Sequence, residues 1–94
     1  PEIIERALAD LPCVSSSCVI GIAHEKWGMR PVAFVQLGAE PGISFAAFLR
    51  ERLEPHLVPD AFYEIPIEEN SRMKHSRAEF ARRLAQGERF RQLD

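Results

Sequence analysis

"VSSSCVIGIAHEKWGMRPVAFVQL", residues 14–37, decides the fold, because it holds two apolar stretches joined by a polar connection. Residues 14–24 are small, β-branched or apolar, a composition typical of a strand. Residues 31–37 are nearly all apolar, as expected of a strand that is covered on both faces. Residues 25–30 connect them, so we predict that the two strands pair antiparallel.

Three segments outside this pair have the apolar spacing of helices. The first follows Pro1, the second follows Ser44 as a predicted N-cap, and the third follows Ser76. A third short strand is predicted at residues 61–65. The order α-β-β-α-β-α predicts a single domain of the α+β class, with a small mixed or antiparallel sheet of about three strands and three helices packed on it.

Charge is divided unevenly along the 94 residues. Residues 1–70 carry five Lys and Arg against eleven acidic residues, whereas residues 71–94 carry seven against three. A basic tail of this kind favours contact with an anion or an acidic partner, so a free-standing binding module is one interpretation. The basic residues lack an aromatic platform, and we therefore expect no nucleic-acid partner.

Several kinds of site are not indicated by the sequence. The two cysteines and three histidines lack the spacing of zinc ligands, so we expect no metal-binding residue. The five glycines are scattered and form no phosphate-binding loop. No apolar run approaches the ~20 residues that span a bilayer, and no signal peptide is visible. We expect a cytoplasmic protein with no membrane partner.

The stretch NSRMKHSRAEF, residues 70–80, places four basic side chains around the predicted start of the third helix. Ser76 and Glu79 form a predicted capping box, so the helix should start directly after Ser76. Lys74 lies just before this cap. A compact charge on a long stem suits the neutralisation of a carboxylate or phosphate in a transition state. The residues alone leave open that Lys74 is an ordinary solvated lysine.

Three stretches resemble the small C-terminal domain of the adenylate-forming acyl- and aryl-CoA synthetases, the AMP-binding enzyme superfamily. PEIIERALADLPCVSSSCVIGIAHEKWGMRPVAFVQL (1–37) is similar to the family's P-x-E-I-E helix, V-x-x-x-x-V-x-G strand, D-E-x-W/F-G turn and R-P-x-A-F-V strand. FLRERLEPHLVPDAFYEIP (48–66) is similar to its L-R-x-x-L-x-x-Y-K-V-P segment and the L-P that follows. The ending resembles the G-K-I-x-R motif, and the resemblance extends to about Leu84.

The resemblance implies that residues 1–94 are the C-terminal lid of an acid–thiol ligase, a fragment that lacks the large N-terminal domain. The full-length enzyme would use ATP, Mg²⁺ and CoA to convert a small carboxylic acid into an acyl-adenylate and then into an acyl-CoA thioester. The implied partners are the N-terminal domain, the acid and CoA. The fragment alone is expected to bind no cofactor and to be inactive. The alternative within the superfamily is the lid of an adenylation domain that loads a carrier protein.

The motif lysine of this family, which acts in adenylation, can be matched in two registers. Counted back from the third helix it falls on Lys74, with Arg77 three residues later and the apolar Phe80 six later. Counted forward from Pro66 it falls on Arg72, which leaves no lysine in place. We favour Lys74 as the catalytic residue, because a longer loop is tolerated at little cost.

Two arginines complete the site that the resemblance implies. Arg77 is a member of the motif and a candidate for cofactor binding, although an exposed residue in the first turn of a helix would look the same. Arg50 falls where some CoA-forming members place an arginine near the CoA phosphate, although FLRER also fits a solvated helix face.

A narrower resemblance concerns MKHSRAEF (73–80) and WGMRPVAF (27–34). These stretches are similar to parts of some 2-succinylbenzoate-CoA ligases of menaquinone synthesis, which likewise lack the usual glycine before the lysine. The resemblance implies 2-succinylbenzoate as the acid.

Overall fold

The computed structural model describes residues 2–26, 28–65 and 77–94, and within these ranges it contains three α-helices and three strands. They follow one another in the predicted order α-β-β-α-β-α, so the α+β class is confirmed. The elements are α1 (Glu2–Leu8), β1 (Val14–His24), β2 (Gly28–Leu37), α2 (Phe45–Arg50), a 3-10 turn (Pro55–Leu57), β3 (Phe62–Glu64) and α3 (Arg77–Ala85).

The strands form one mixed sheet in the order β1-β2-β3. β1 and β2 pair antiparallel, as predicted, with Val19 opposite Ala33. β3 runs parallel to β2, with Ala33 opposite Phe62. A parallel pair needs a crossover, which residues 38–61 supply and which includes α2. Because β1 is the first strand in the order β1-β2-β3, it is an edge strand of the sheet.

β2 begins at Gly28, three residues before its predicted start at Pro31. Gly28 has φ 79°, a left-handed conformation that glycine adopts without steric cost, and it lies opposite His24 at the end of the hairpin. The polar side chain of Arg30 suggested a loop here. The part of a hairpin next to its turn accepts such side chains, because it is not covered on both faces.

Both faces of the sheet are covered, as predicted for residues 31–37. Helices α1 and α2 cover one face, which we call the α1–α2 face, and α3 covers the other, the α3 face. The α1–α2 face buries Ile4, Leu8, Leu11, Val19, Ala33, Val35, Phe45, Leu49, Val58 and Phe62. The α3 face buries Cys18, Ile20, Val32, Phe34, Ile65 and Phe80. The alternation along β1 and β2 sends neighbouring residues to opposite faces.

The chain after α3 returns to the sheet. Gly87, with φ 87°, ends the helix in the left-handed conformation that is common just after a helix C-terminus. Gln92 then forms an antiparallel bridge with Tyr63, and the Leu93 amide donates to the Phe62 carbonyl at 2.7 Å. Residues 88–94, which we call the C-terminal segment, therefore extend the sheet beside β3.

The last residue of this segment caps α2. The Asp94 carboxylate accepts hydrogen bonds from the amides of Phe45 and Ala46 at 3.1 and 2.7 Å, and from the Ser44 hydroxyl at 3.0 Å. Ser44 itself accepts from the Ala47 amide at 3.2 Å, so its predicted N-cap role is confirmed. Two oxygen-bearing side chains thus satisfy the first amides of a short helix.

Candidate functional site

The predicted catalytic residue Lys74 and its competitor Arg72 lie in residues 66–76, outside the part of the chain that the structure describes. The serine of the predicted capping box lies there too. α3 begins at Arg77, directly after that serine, as predicted. The structure therefore describes both flanks of the segment, Ile65 on one side and Arg77 on the other.

Arg77 joins three elements of the fold. Its Nε donates to the Val19 carbonyl at 3.1 Å, and its Nη2 lies 3.0 Å from each carboxylate oxygen of Glu5. Glu5 in turn accepts from the Val19 amide at 2.8 Å. We call Glu5, Val19 and Arg77 the Arg77 anchor, because these contacts connect α1, β1 and the first residue of α3.

The anchor occupies the free edge of the sheet. The Ala33 amide donates to the Ala61 carbonyl at 3.0 Å, away from β1. Ala33 and Val19 are opposite one another, so they form a pair without mutual hydrogen bonds, and the amide and carbonyl of Val19 point outward. Such edge groups need partners where they are shielded from water. Glu5 accepts from the Val19 amide, and Arg77 donates to the Val19 carbonyl.

The two charges of the anchor are unequally shielded. The Glu5 side chain is 22% exposed and that of Arg77 is 51% exposed. The neighbouring Cys18 is buried, and the pKa of its thiol is raised above its usual value of 9.0 by burial and secondarily by Glu5, while Arg77 opposes the rise. Cys18 is therefore a neutral thiol near pH 7, and Arg77 is the compensating charge for Glu5.

Arg50 is the last residue of α2 and is exposed. A cation is favourable there, because the C-terminus of a helix carries partial negative charge. Its guanidinium has no hydrogen-bond or ion-pair partner within the described residues. α2 and α3 lie on opposite faces of the sheet, so Arg50 and Arg77 are not brought together in one pocket.

Arg30 was not among the predicted site residues, yet it has an extensive set of contacts. Its Nε and Nη2 bind the Asp60 carboxylate at 2.9–3.3 Å, its Nη1 donates to the His56 carbonyl at 2.8 Å, and its Nη2 to the Val58 carbonyl at 3.0 Å. We call these four residues the Arg30 anchor. The hydrogen bond to Asp60 raises the pKa of Arg30, which stays charged. The Arg-Pro pair of the strand motif is the sequence signal that could have indicated it.

Two open grooves adjoin this anchor. One, of about 440 Å³, is lined by His24, Arg30, Pro55, His56 and Asp60. The other, of about 300 Å³, is mainly apolar, lies between α1, the hairpin and the 3-10 turn, and also includes Arg30 and His56. Across residues 2–26, 28–65 and 77–94, no group of three histidines, cysteines or acids could hold a metal ion. Within the same ranges, no helix is long and apolar enough to cross a membrane.

Comparisons with known proteins agree on one family. The family model for the AMP-binding enzyme C-terminal domain matches residues 3–73. A 2-succinylbenzoate–CoA ligase from Geobacillus kaustophilus is 36% identical over 92 residues, which cover 94% of this chain and 19% of that ligase. A ligase of the same name from Bacillus velezensis is 38% identical over 66 residues, covering 69% of this chain and 14% of that one. The chain spans less than a fifth of the length of either ligase.

Solved structures have the same fold. A double mutant of o-succinylbenzoate CoA synthetase from Bacillus subtilis, bound with its product analogue OSB-NCoA, superimposes with a TM-score of 0.75 at 26% identity, over 100% of this chain and 19% of that one. E. coli MenE with a bound analogue of OSB-AMS gives a TM-score of 0.77 at 24% identity, over 92% of this chain and 18% of that one. At that identity the second likeness concerns the fold alone.

Proposed function

The chain belongs to the AMP-binding enzyme C-terminal domain family, and we propose that residues 1–94 are the C-terminal domain of a longer 2-succinylbenzoate–CoA ligase. The observation that carries this proposal is the 36% identity over 92 residues with a ligase of that name, because the match covers nearly the whole chain. The second relative has the same name. Both names favour CoA over a carrier protein as the acceptor, and the enzyme would act in the cytoplasm.

The proposed enzyme joins its acid to CoA in two steps. In the first, a carboxylate oxygen of the acid attacks the α-phosphorus of ATP, so that an acyl-adenylate forms and pyrophosphate leaves. In the second, the CoA thiol loses its proton to solvent, its sulfur attacks the acyl carbonyl, the thioester forms, and AMP leaves with the electrons of the broken bond. The C-terminal domain turns relative to the N-terminal domain between the steps, as lids and domains do in many enzymes.

We assign Lys74 to the first step. Negative charge moves from the carboxylate to the phosphate groups as the new bond forms, and a positioned ammonium stabilises that charge more in the transition state than in the ground state. Arg72 is the competing assignment. It would bring a delocalised, planar cation of different reach, which is not equivalent to a lysine at such a position.

We assign Arg50 to the second step, as a contact for a phosphate of CoA. Support comes from its exposure and from its place on α2, on the face of the sheet opposite α3. A domain that turns between two steps presents different faces to the reaction, so cations used in different steps suit different faces. In the described part of the chain, no group of three acids, histidines or cysteines offers a site for Mg²⁺.

The test uses the full-length protein with ATP, Mg²⁺ and CoA. We expect 2-succinylbenzoate to give equal amounts of AMP and acyl-CoA thioester, and benzoate and succinate, which each match one half of that acid, to react far more slowly. Pyrophosphate release without a CoA thioester would indicate another acceptor. No pyrophosphate release with 2-succinylbenzoate would overturn the proposed substrate.

A further inference from the structure

We infer that Arg77 is a positioning residue for the adenylation step: the Arg77 anchor holds the end of the segment that carries Lys74, and Arg77 itself contacts neither ATP nor the acid. The inference rests on the proposed function. It begins from the hydrogen bonds that tie Arg77 to Glu5 and Val19.

Chain length makes Arg77 the nearer of the two described flanks. Lys74 is three residues from Arg77 in the sequence, a reach of at most about 11 Å for any chain, and nine residues from Ile65, a reach of at most about 32 Å. The position of Arg77 therefore limits the reach of Lys74 more than the position of Ile65 does.

The contacts of Arg77 argue against a direct role in binding substrate. Two of its three guanidinium nitrogens already have acceptors inside the domain. If the side chain turned to a phosphate, the Glu5 carboxylate, which is 22% exposed, would lose its cation and the Val19 carbonyl its donor. Breaking these contacts costs free energy, although less than for a fully buried pair, so the free domain favours the observed arrangement.

Glu5 separates the two roles. It belongs to α1, and its hydrogen bonds in the described residues are with Val19 and Arg77, so a direct contact between Arg77 and a substrate would not require Glu5. A positioning role instead predicts the same defect when either residue is changed. The informative variants are Arg77→Gln, Glu5→Gln and the double variant, all in the full-length enzyme.

We expect each single variant to lower kcat for acyl-adenylate formation by about 10- to 100-fold, the range that a misplacement of about 1 Å produces. KM for ATP and for the acid should stay within about twofold, because uniform binding is not affected. The double variant should be no slower than the slower single, since both changes break one anchor. Transfer from preformed acyl-adenylate to CoA should be unchanged, and Arg77→Lys should recover part of the adenylation rate.

Arg82→Gln is the matched control, because Arg82 lies on the same helix and contacts Gln86 at 3.4 Å, outside the anchor. We expect it to leave both steps unchanged. A raised KM in Arg77→Gln together with a near-normal Glu5→Gln would make Arg77 a substrate-binding residue and overturn the inference. Equal losses in both steps, with a lowered Tm, would show a general role in folding and would also overturn it.

Hydrogen exchange of the same variants has no dependence on the substrate. We expect amides of residues 81–84, which donate to the carbonyls of the first turn of α3, to exchange faster in Arg77→Gln and Glu5→Gln than in Arg82→Gln, because that turn loses its attachment. If the wild-type enzyme forms no acyl-adenylate, the proposed function fails, while this measurement still decides whether the anchor holds α3. Unchanged exchange at residues 81–84 would refute the anchor.

Discussion

The Arg30 anchor and the Arg77 anchor use the same chemistry in different surroundings. Each arginine binds one carboxylate and at least one backbone carbonyl. The Arg30 side chain is 17% exposed. It connects β2 to the 3-10 turn region, and the partners named above all lie in the described residues. Arg77 is 51% exposed and lies at the border of residues 66–76.

The same type of interaction can therefore stabilise the fold, as at Arg30, or position a neighbouring segment of the chain, as at Arg77. A shielded guanidinium with carboxylate and carbonyl partners holds two parts of the domain together, and its loss is felt as lost stability. A half-exposed guanidinium at the border of a working segment contributes less to stability, because water replaces its contacts more easily. Its main contribution is to limit the reach of the residues that precede it in the chain.

The largest expected effect tests whether the segment beside the Arg77 anchor carries the chemistry. Lys74→Ala should lower the rate of acyl-adenylate formation by about 10²- to 10³-fold, the effect of removing one positioned charge or donor from a transition state. Transfer from preformed acyl-adenylate to CoA should be little changed. Both rates are measured separately in the full-length enzyme, by pyrophosphate release and by thioester formation.

Arg72→Ala is the matched control for this change. We expect it to leave adenylation within about threefold of the wild-type rate, as for a surface cation outside the reaction. The reverse result, a large loss for Arg72→Ala and a small one for Lys74→Ala, would place the motif two residues earlier, so that the acting cation would be Arg72, five residues before Arg77.

The next effect compares the stability contributions of the two anchors. Arg30→Ala should lower the free energy of unfolding by about 1–2 kcal/mol, because it leaves the carbonyl oxygens of His56 and Val58 without their donor, while water replaces the contact of the 48% exposed Asp60 carboxylate. Arg77→Ala should cost only about 0.5–1 kcal/mol, as expected for a half-exposed pair. Both losses are measured by urea unfolding of the full-length protein. Hydrogen exchange in peptides from β2 and α3 monitors the unfolding of this domain. Equal losses would remove the distinction between the anchors.

The smallest effect extends the comparison to a third arginine, Arg91, whose side chain is 54% exposed and whose partner Glu40 is 76% exposed. The hydrogen bond from Arg91 lowers the pKa of Glu40 below its ordinary value of 4.5. The resulting stabilisation is present above about pH 4.5 and is lost as the pH falls through the lowered pKa of the folded state. Glu40→Gln should therefore reduce the loss of stability between about pH 7 and about pH 3.5. A steeper acid loss in the variant would contradict this.

The order of the elements was predictable because it depends on local patterns. Apolar spacing indicated the helices, Ser44 indicated the start of α2, and the apolar run of residues 31–37 indicated a doubly covered strand. The start of β2 was placed three residues late, because strand pairing at an exposed hairpin end does not require apolar side chains. The parallel alignment of β3 also depends on tertiary packing and could be predicted only as a mixed or antiparallel sheet.

The candidate site was predictable only in part. The motif match named Arg77 but could not name its partner, since Glu5 is 72 residues away and no periodicity connects two residues across such a distance. Arg30 was missed for the same reason, because its acceptors lie 26 to 30 residues further along the chain. The register of Lys74 against Arg72 depends on the length of one loop, which local propensities do not determine.

The cap that Asp94 places on α2 has a consequence for the order of folding. α2 has six residues, too few to be stable alone, and one of its two capping residues lies 50 residues beyond the other. During synthesis α2 therefore leaves the ribosome about 2–9 s before Asp94 does, at about 5–20 residues per second. The N-terminus of α2 is therefore fully capped only after the C-terminal segment has paired beside β3.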